Sequence, residues 1–208
     1  FPGTWQLGKF VPDFDALDLP IFYGAKQEDM YTVWDGGAGK FVDAEVEKKL
    51  GVKVIGRWLD LGFQNTYTVG KAINTHADIK NQKLRIPGGA ANIARYEALG
   101  GNAVKIAWPD VPQALQRGTI DGLATTFESV RSAKLWDSGV KYAYANRQAF
   151  NQYVPMVSMK SWSKYPKEIQ DLITSSWAAK IGSLRDRARQ RQEEARKEAE
   201  KQGIKVVA

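Results

Sequence analysis

Between Tyr31 and Ala124 one step occurs three times: apolar residues at helical spacing and a short strand-like run, joined at a glycine. In the first, Val33, Phe41, Val46 and Leu50 share a helical face, Gly51 ends it, and Val52-Lys-Val-Ile-Gly-Arg-Trp-Leu59 alternates as a half-buried strand does. In the second, Lys83–Ile86 reads as a strand, Gly88-Gly89 as a turn and Ala90–Leu99 as a helix closed by Gly100-Gly101. Ala103–Ala107 then returns as a strand. The third runs from Pro109 along Val111–Arg117 to Gly118 and into Thr119–Ala124. Alternation with short connections predicts an α/β fold of mostly parallel sheets, whose ligands lie beyond the carboxyl ends of strands.

The C-terminal quarter follows a different period. Ile169, Ile173, Trp177, Ile181, Leu184, Ala188, Ala195 and Ala199 repeat every 3.6 residues between Pro166 and Gly203, which predicts one helix over about 166–202, long enough to span two lobes. Arg185, Arg187, Arg189 and Arg191 are expected on its outer face. Glu193, Glu194, Glu198 and Glu200 interleave soon after, so the face reads as solvated and not as a phosphate-binding patch. Residues 1–30 are aromatic and punctuated by proline, which predicts loops over a buried apolar turn.

Composition removes several kinds of chemistry. The 30 Lys and Arg against 23 Asp and Glu give a formal charge of +7, which suits an anionic ligand, a membrane surface or nucleic acid and does not choose among them. The absence of cysteine excludes disulfides, thiolate metal sites and Cys nucleophiles from these residues. Asp35-Gly-Gly-Ala-Gly-Lys40-Phe41 imitates a phosphate loop, but Phe41 stands where a Ser or Thr must bind magnesium. His76 is the sole histidine, so no multi-histidine zinc site forms; neither metal nor cofactor is expected. No run approaches the roughly 18 apolar residues of a membrane span. The chain opens at Phe1 with no charged-then-apolar leader, so any targeting peptide is expected to have been removed or to lie outside these residues, and the compartment has to be argued from other features.

Arg85 is the residue best placed for ligand chemistry. It lies in the apolar strand Leu84-Arg-Ile86 and precedes Pro87-Gly88-Gly89, a turn that would aim its guanidinium across the strand's carboxyl end. Its planar fork matches a carboxylate, although the same position also suits a surface ion pair.

Three segments occur in order: Ala77-Asp-Ile-Lys-Asn-Gln-Lys-Leu-Arg-Ile-Pro87, Ile106-Ala-Trp-Pro-Asp-Val-Pro-Gln-Ala-Leu-Gln-Arg-Gly118 and Thr119-Ile-Asp-Gly122. As a set they strongly resemble the solute-binding proteins of tripartite ATP-independent periplasmic (TRAP) transporters, the DctP-type family. The resemblance extends from Val11-Pro12 through Tyr165-Pro-Lys-Glu-Ile-Gln170 to Gly203-Ile-Lys-Val206.

The resemblance implies a two-lobed clamshell with mixed and parallel sheets and one long C-terminal helix across the lobes. Residues 1–64 would form lobe I, 65–150 lobe II, and 151–208 a return strand, the helix and a final strand. Relatives carry a further strand-helix-strand unit ahead of the Val-Pro segment, so lobe I is expected to be incomplete. The implied function is capture of an organic acid in the periplasm, by a monomer, for the small and large membrane subunits of a TRAP permease, with no reaction and no nucleic acid. A sensor role, or an enzyme using Asp110 or Asp121 as base, is the competing expectation. The family's carboxylate-gripping arginine falls on Arg85. Its D-G-x-x-N segment reads Asp121-Gly-Leu-Ala-Thr125, so the Thr125 hydroxyl replaces an amide. Trp108 would pack over the ligand or fill core. Gln64 or Asn65 occupies a place where some relatives have a second arginine, and Phe150, Asn151 and Gln152 would line the pocket from the other lobe.

Overall fold

The computed structural model describes residues 1–207. The chain opens on one helical turn, α1 (Thr4–Leu7), and a 3₁₀ segment, Pro12–Asp18, with proline at its first position, where a fixed φ suits helix entry. The helix expected over Tyr31–Leu50 is two, α2 (Gln27–Trp34) and α3 (Gly37–Leu50), because Gly36 takes a non-helical backbone, φ −90° and ψ −149°, between them. Gly51 then ends α3 at φ 61°, a left-handed conformation open to glycine without steric cost.

The strands among the described residues are β1 (Val52–Val54), β2 (Leu59–Thr68), β3 (Lys83–Ile86), β4 (Asn102–Lys105), β5 (Gly122–Thr125), β6 (Tyr142–Tyr153), β7 (Met156–Ser158) and β8 (Lys205–Val207). Between and after them run α4 (Ala90–Ala98), α5 (Val111–Gln116), α6 (Phe127–Ser132), α7 (Met159–Trp162) and α8 (Lys167–Lys201). Val52–Leu59 is therefore not one strand; β1 stops at Val54 and β2 begins at Leu59, with Gly56 at φ 150° between them.

Six strands form one sheet in the order β4-β3-β5-β2-β6-β8. Its outer part obeys the α/β expectation, with β3 parallel to β4 and β5. The centre does not, because β2 runs antiparallel to both β5 and β6. The sheet is mixed, and the molecule is two-lobed.

Separate apolar cores mark the lobes. In one, Trp58 stacks between Phe14 and Trp34, with ring centroids 5.4 and 5.7 Å away, beside Met30, Val46 and Phe150. The other lobe has two clusters on the six-stranded sheet, around Tyr67, Leu123 and Phe127 and around Ile79, Leu84 and Tyr96. Strands β2 and β6 belong to both lobes: Phe63 and Phe150 pack in the first and Tyr67 and Ala143 in the second. Their pairing is irregular where they cross. Gln64 pairs with Ala149 and Thr66 with Tyr144, so residues 145–148 bulge opposite Asn65, with Arg147 at φ 45°.

Helix α8 also joins both lobes. Its 35 residues give a rod of about 52 Å at 1.5 Å per residue. Arg185 reaches the first lobe and Ala195 and Ala199 pack in the second. Arg185 does not lie on the outer face. It follows Ile181 by four residues, on the stripe that continues through Ala188, Ala195 and Ala199, and is 4% exposed.

Candidate functional site

Strand β3 ends at the cleft between the lobes. Leu84 and Ile86 point into the apolar cluster beneath α4, so alternation turns Arg85 to the opposite face. The side chain is 4% exposed, yet no carboxylate lies within ion-pair distance among the described residues. Its Nε donates to the carbonyl oxygen of Ile106 at 2.9 Å, which fixes the plane of the guanidinium. The Trp108 ring lies under it at 5.4 Å, a cation–π contact. Burial without a counter-charge lowers the Arg85 pKa to about 10. The group stays charged at neutral pH, with its two terminal nitrogens left for an anion.

Arg85 borders a cavity of about 600 Å³. Thr125, at the end of β5, and Trp108 border it with Arg85, which unites the three lobe II candidates. Asn151 reaches it from β6, although its Nδ2 already donates to Gln64 at 3.1 Å. The other candidates point elsewhere. Gln64 is fully buried and donates to Asn92 of α4 at 3.2 Å. Asn65 accepts from the backbone N–H of Arg147 at 3.0 Å, holding the bulge, and borders a different cavity of about 360 Å³ beside α8. Phe150 packs on Phe63 at 4.8 Å in the first core, and Gln152 donates to Asp60 at 2.9 Å.

The cavity also takes residues that sequence reasoning did not single out. Trp5 and Gln6 reach it from α1, and Tyr153 closes the same side, edge-on to Trp5 at 5.6 Å. Glu128, Ser129 and Ser132 reach it from α6. Ser129 and Ser132 are three apart on α6, a hydroxyl pair that helical periodicity could have exposed, and Thr125 joins them from the end of β5. Trp5 and Tyr153 are 148 positions apart by number, and no local pattern links them. Glu128 is neutralised where it stands, paired with Arg131 at 2.6 Å and with Arg191 of α8 at 3.0 Å.

Two further carboxylates have structural roles. Asp121 accepts from the backbone N–H of Lys83 at 2.8 Å, tying β5 to β3. Asp35, in the false phosphate loop, holds Arg185.

The sequence profile of the bacterial extracellular solute-binding proteins, family 7 (DctP), matches residues 1–208. The chain belongs to this family. A solute-binding protein of Chromohalobacter salexigens is 27% identical over 173 residues, covering 80% of this chain and 48% of its own length. The C4-dicarboxylate-binding periplasmic protein DctP of Rhodobacter capsulatus is 26% identical over 194 residues, covering 91% of this chain and 57% of its own. The chain thus spans about half the length of the curated relatives it matches. Among solved structures, the sugar acid binding protein of Advenella mimigardefordensis in complex with galactonate superposes with a TM-score of 0.92 at 24% identity, over 99% of this chain and 65% of its own. That likeness carries the two-lobed fold.

Proposed function

We propose that this chain forms the ligand-gripping part of a periplasmic solute-binding protein that holds a small organic acid by its carboxylate on Arg85 and delivers it, unreacted, to the membrane subunits of a TRAP transporter. One observation carries the reading: a buried, hydrogen-bonded guanidinium without a counter-ion, facing an interlobe cavity. Keeping such a charge out of water is costly unless an anion completes it. A carboxylate would accept from the two free nitrogens, each ionic hydrogen bond contributing about 1.5–3 kcal/mol net. Lobe closure excludes water and strengthens that pair, so ligand binding shifts the hinge toward the closed form.

The rest of the cavity supports a hydroxylated acid. Thr125, Ser129, Ser132 and Tyr153 offer hydroxyls and Gln6 an amide. The Rhodobacter capsulatus relative is a C4-dicarboxylate-binding protein, and the Advenella mimigardefordensis structure holds galactonate. A thermal-shift screen of organic acids, followed by calorimetry on the hits, tests the reading, since a ligand of the folded state raises apparent stability by mass action. Saturable binding of an acid that is lost in Arg85→Met supports it; binding undiminished in that variant removes Arg85 from the site.

A further inference from the structure

A second polar junction crosses between the lobes, beside the cleft. The 3₁₀ segment Pro12–Asp18 belongs to the first lobe through Phe14 and Leu17, and it packs on α4 of the second lobe, whose Tyr96 lies under the sheet. Asp15 and Asp18 from that segment converge on the start of α4. A Cβ built on Gly89 would meet Asp18 Oδ2 at 2.9 Å and Asp15 Oδ1 at 3.6 Å, so glycine there leaves room for both carboxylates.

Charge is poorly balanced at this contact. Asp18 is 3% exposed, and Asp15 Oδ1 is buried with no hydrogen-bond partner. Arg95 of α4 is the neighbouring cation, but it spends NH1 on the carbonyl oxygens of Asp18 and Gln148, at 2.8 and 3.2 Å, and NH2 on Asn92. Its Nε is buried without a partner. From β6 the contact receives Gln148, which does not titrate; α1, Thr-Trp-Gln-Leu, carries no titratable group, and a Cβ built on Gly88 would meet Lys105 Cε at 3.8 Å.

We propose that Asp15 and Asp18 form a proton-linked latch, in which closing the lobes buries the pair against α4 and takes up a proton, so that acid favours the closed form. Burial, opposed by Arg95 and reinforced by Asp15, raises the Asp18 pKa to about 7 in this arrangement. When the lobes part, the segment leaves α4 and the carboxylate returns toward its ordinary range near 4. Between those values the closed form holds a proton that the open form releases, so closure is favoured progressively as pH falls through about 7 and no further below the ordinary carboxylate range. The inference needs no ligand and does not rest on Arg85.

The chain contains no cysteine, so Lys48→Cys on the first lobe and Arg117→Cys on the second, both at exposed positions, accept a donor and acceptor dye without background. In the ligand-free protein, transfer efficiency should change progressively as pH falls below about 7, toward the value of closed lobes at pH 5.5. Asp18→Asn, a neutral shape mimic, should hold that value from pH 5.5 to 8.5. Asp15→Asn should keep the response but move its midpoint to lower pH, since one repelling charge is gone. His76, which shares a 2.8 Å hydrogen bond with Tyr23 across the lobes, is present in every variant. A pH response that persists unchanged in Asp18→Asn overturns the latch, as does a wild-type signal that is flat with pH.

Discussion

Two arginines in this molecule are equally buried and oppositely supplied. Arg85 and Arg185 are each 4% exposed, and each donates Nε to a backbone carbonyl oxygen at 2.9 Å, of Ile106 and of Trp58. Beyond that they diverge. Arg185 grips Asp35 through both terminal nitrogens, at 2.7 and 2.9 Å, with Asp60 at 3.7 Å and the Tyr31 ring at 4.2 Å. Burial alone would lower its pKa, but Asp35 and Asp60 outweigh burial and raise it. At Arg85 nothing offsets burial and the pKa falls. The same side chain serves as a finished joint between α8 and the first lobe, and as an unfinished one at the cleft. Burial therefore does not distinguish a structural arginine from a receptor; the missing counter-charge does.

The largest effect should come from unfinishing the finished joint. Asp35→Ala leaves Arg185 buried beside Asp60, whose oxygens are already engaged by Tyr31 and Gln152. Breaking a buried pair on one side costs about 3 kcal/mol, which in a chain of this size lowers Tm by about 6–12 °C. Differential scanning fluorimetry at neutral pH checks it. A drop under about 2 °C would place Arg185 with Arg85 as an energetically incomplete group.

The reverse experiment acts on Arg85. Lysine keeps the charge and loses the fork, so Arg85→Lys should weaken binding of the acid found by screening at least about tenfold, or ~1.4 kcal/mol, by calorimetry. Without ligand the same variant should melt within about 2 °C of wild type, since no native ion pair is lost. An arginine whose lysine variant unfolds the protein but binds normally would be a second Arg185.

Much of this contrast was legible beforehand, but not its symmetry. The strand Lys83–Ile86, the turn Gly88-Gly89 and the helix near 90–99 stand where alternation and glycine placement put them, because each signal lies within a few residues. Arg85 became visible as a charge inside an apolar strand. Arg185 was hidden by its neighbours: in a run with Arg187, Arg189 and Arg191 it reads as solvated face, and only the partner 150 positions away in Asp35 explains its inward turn. Gln64, Asn65 and Phe150 show the same limit. The resemblance set them at the ligand, but the bulge opposite Asn65, which decides the direction each side chain takes, depends on pairing with β6.

A pH series sharpens the comparison further. Burial raises the Asp60 pKa, while Tyr31, Gln152 and Arg185 pull it back. The folded protein therefore binds this proton more tightly than the unfolded chain does, and stability gained by protonation is lost as pH rises through the folded value. In Arg185→Met one restraint is gone and the folded pKa climbs, so the loss should extend toward neutral pH, with a slope of up to about 1.4 kcal/mol per pH unit. Urea melts at pH 5, 6 and 7 measure it. Arg85→Met, with no carboxylate paired to it, should give the wild-type slope; if both variants steepen equally, the distinction between the two sites fails.

The smallest effect concerns what Arg85 has in place of a carboxylate. Trp108 lies 5.4 Å beneath its guanidinium and borders the same cavity, so the ring steadies the charge whether or not a ligand is bound. A cation–π contact at a partly exposed site contributes about 0.5–1 kcal/mol, so Trp108→Ala should weaken acid binding about two- to fivefold while Arg85→Lys weakens it more. Trp108→Phe, which keeps a weaker ring face, should fall between wild type and alanine. If the alanine variant instead binds as wild type does and loses several degrees of Tm, Trp108 is core in that lobe, and the charge of Arg85 is held by its Ile106 hydrogen bond alone.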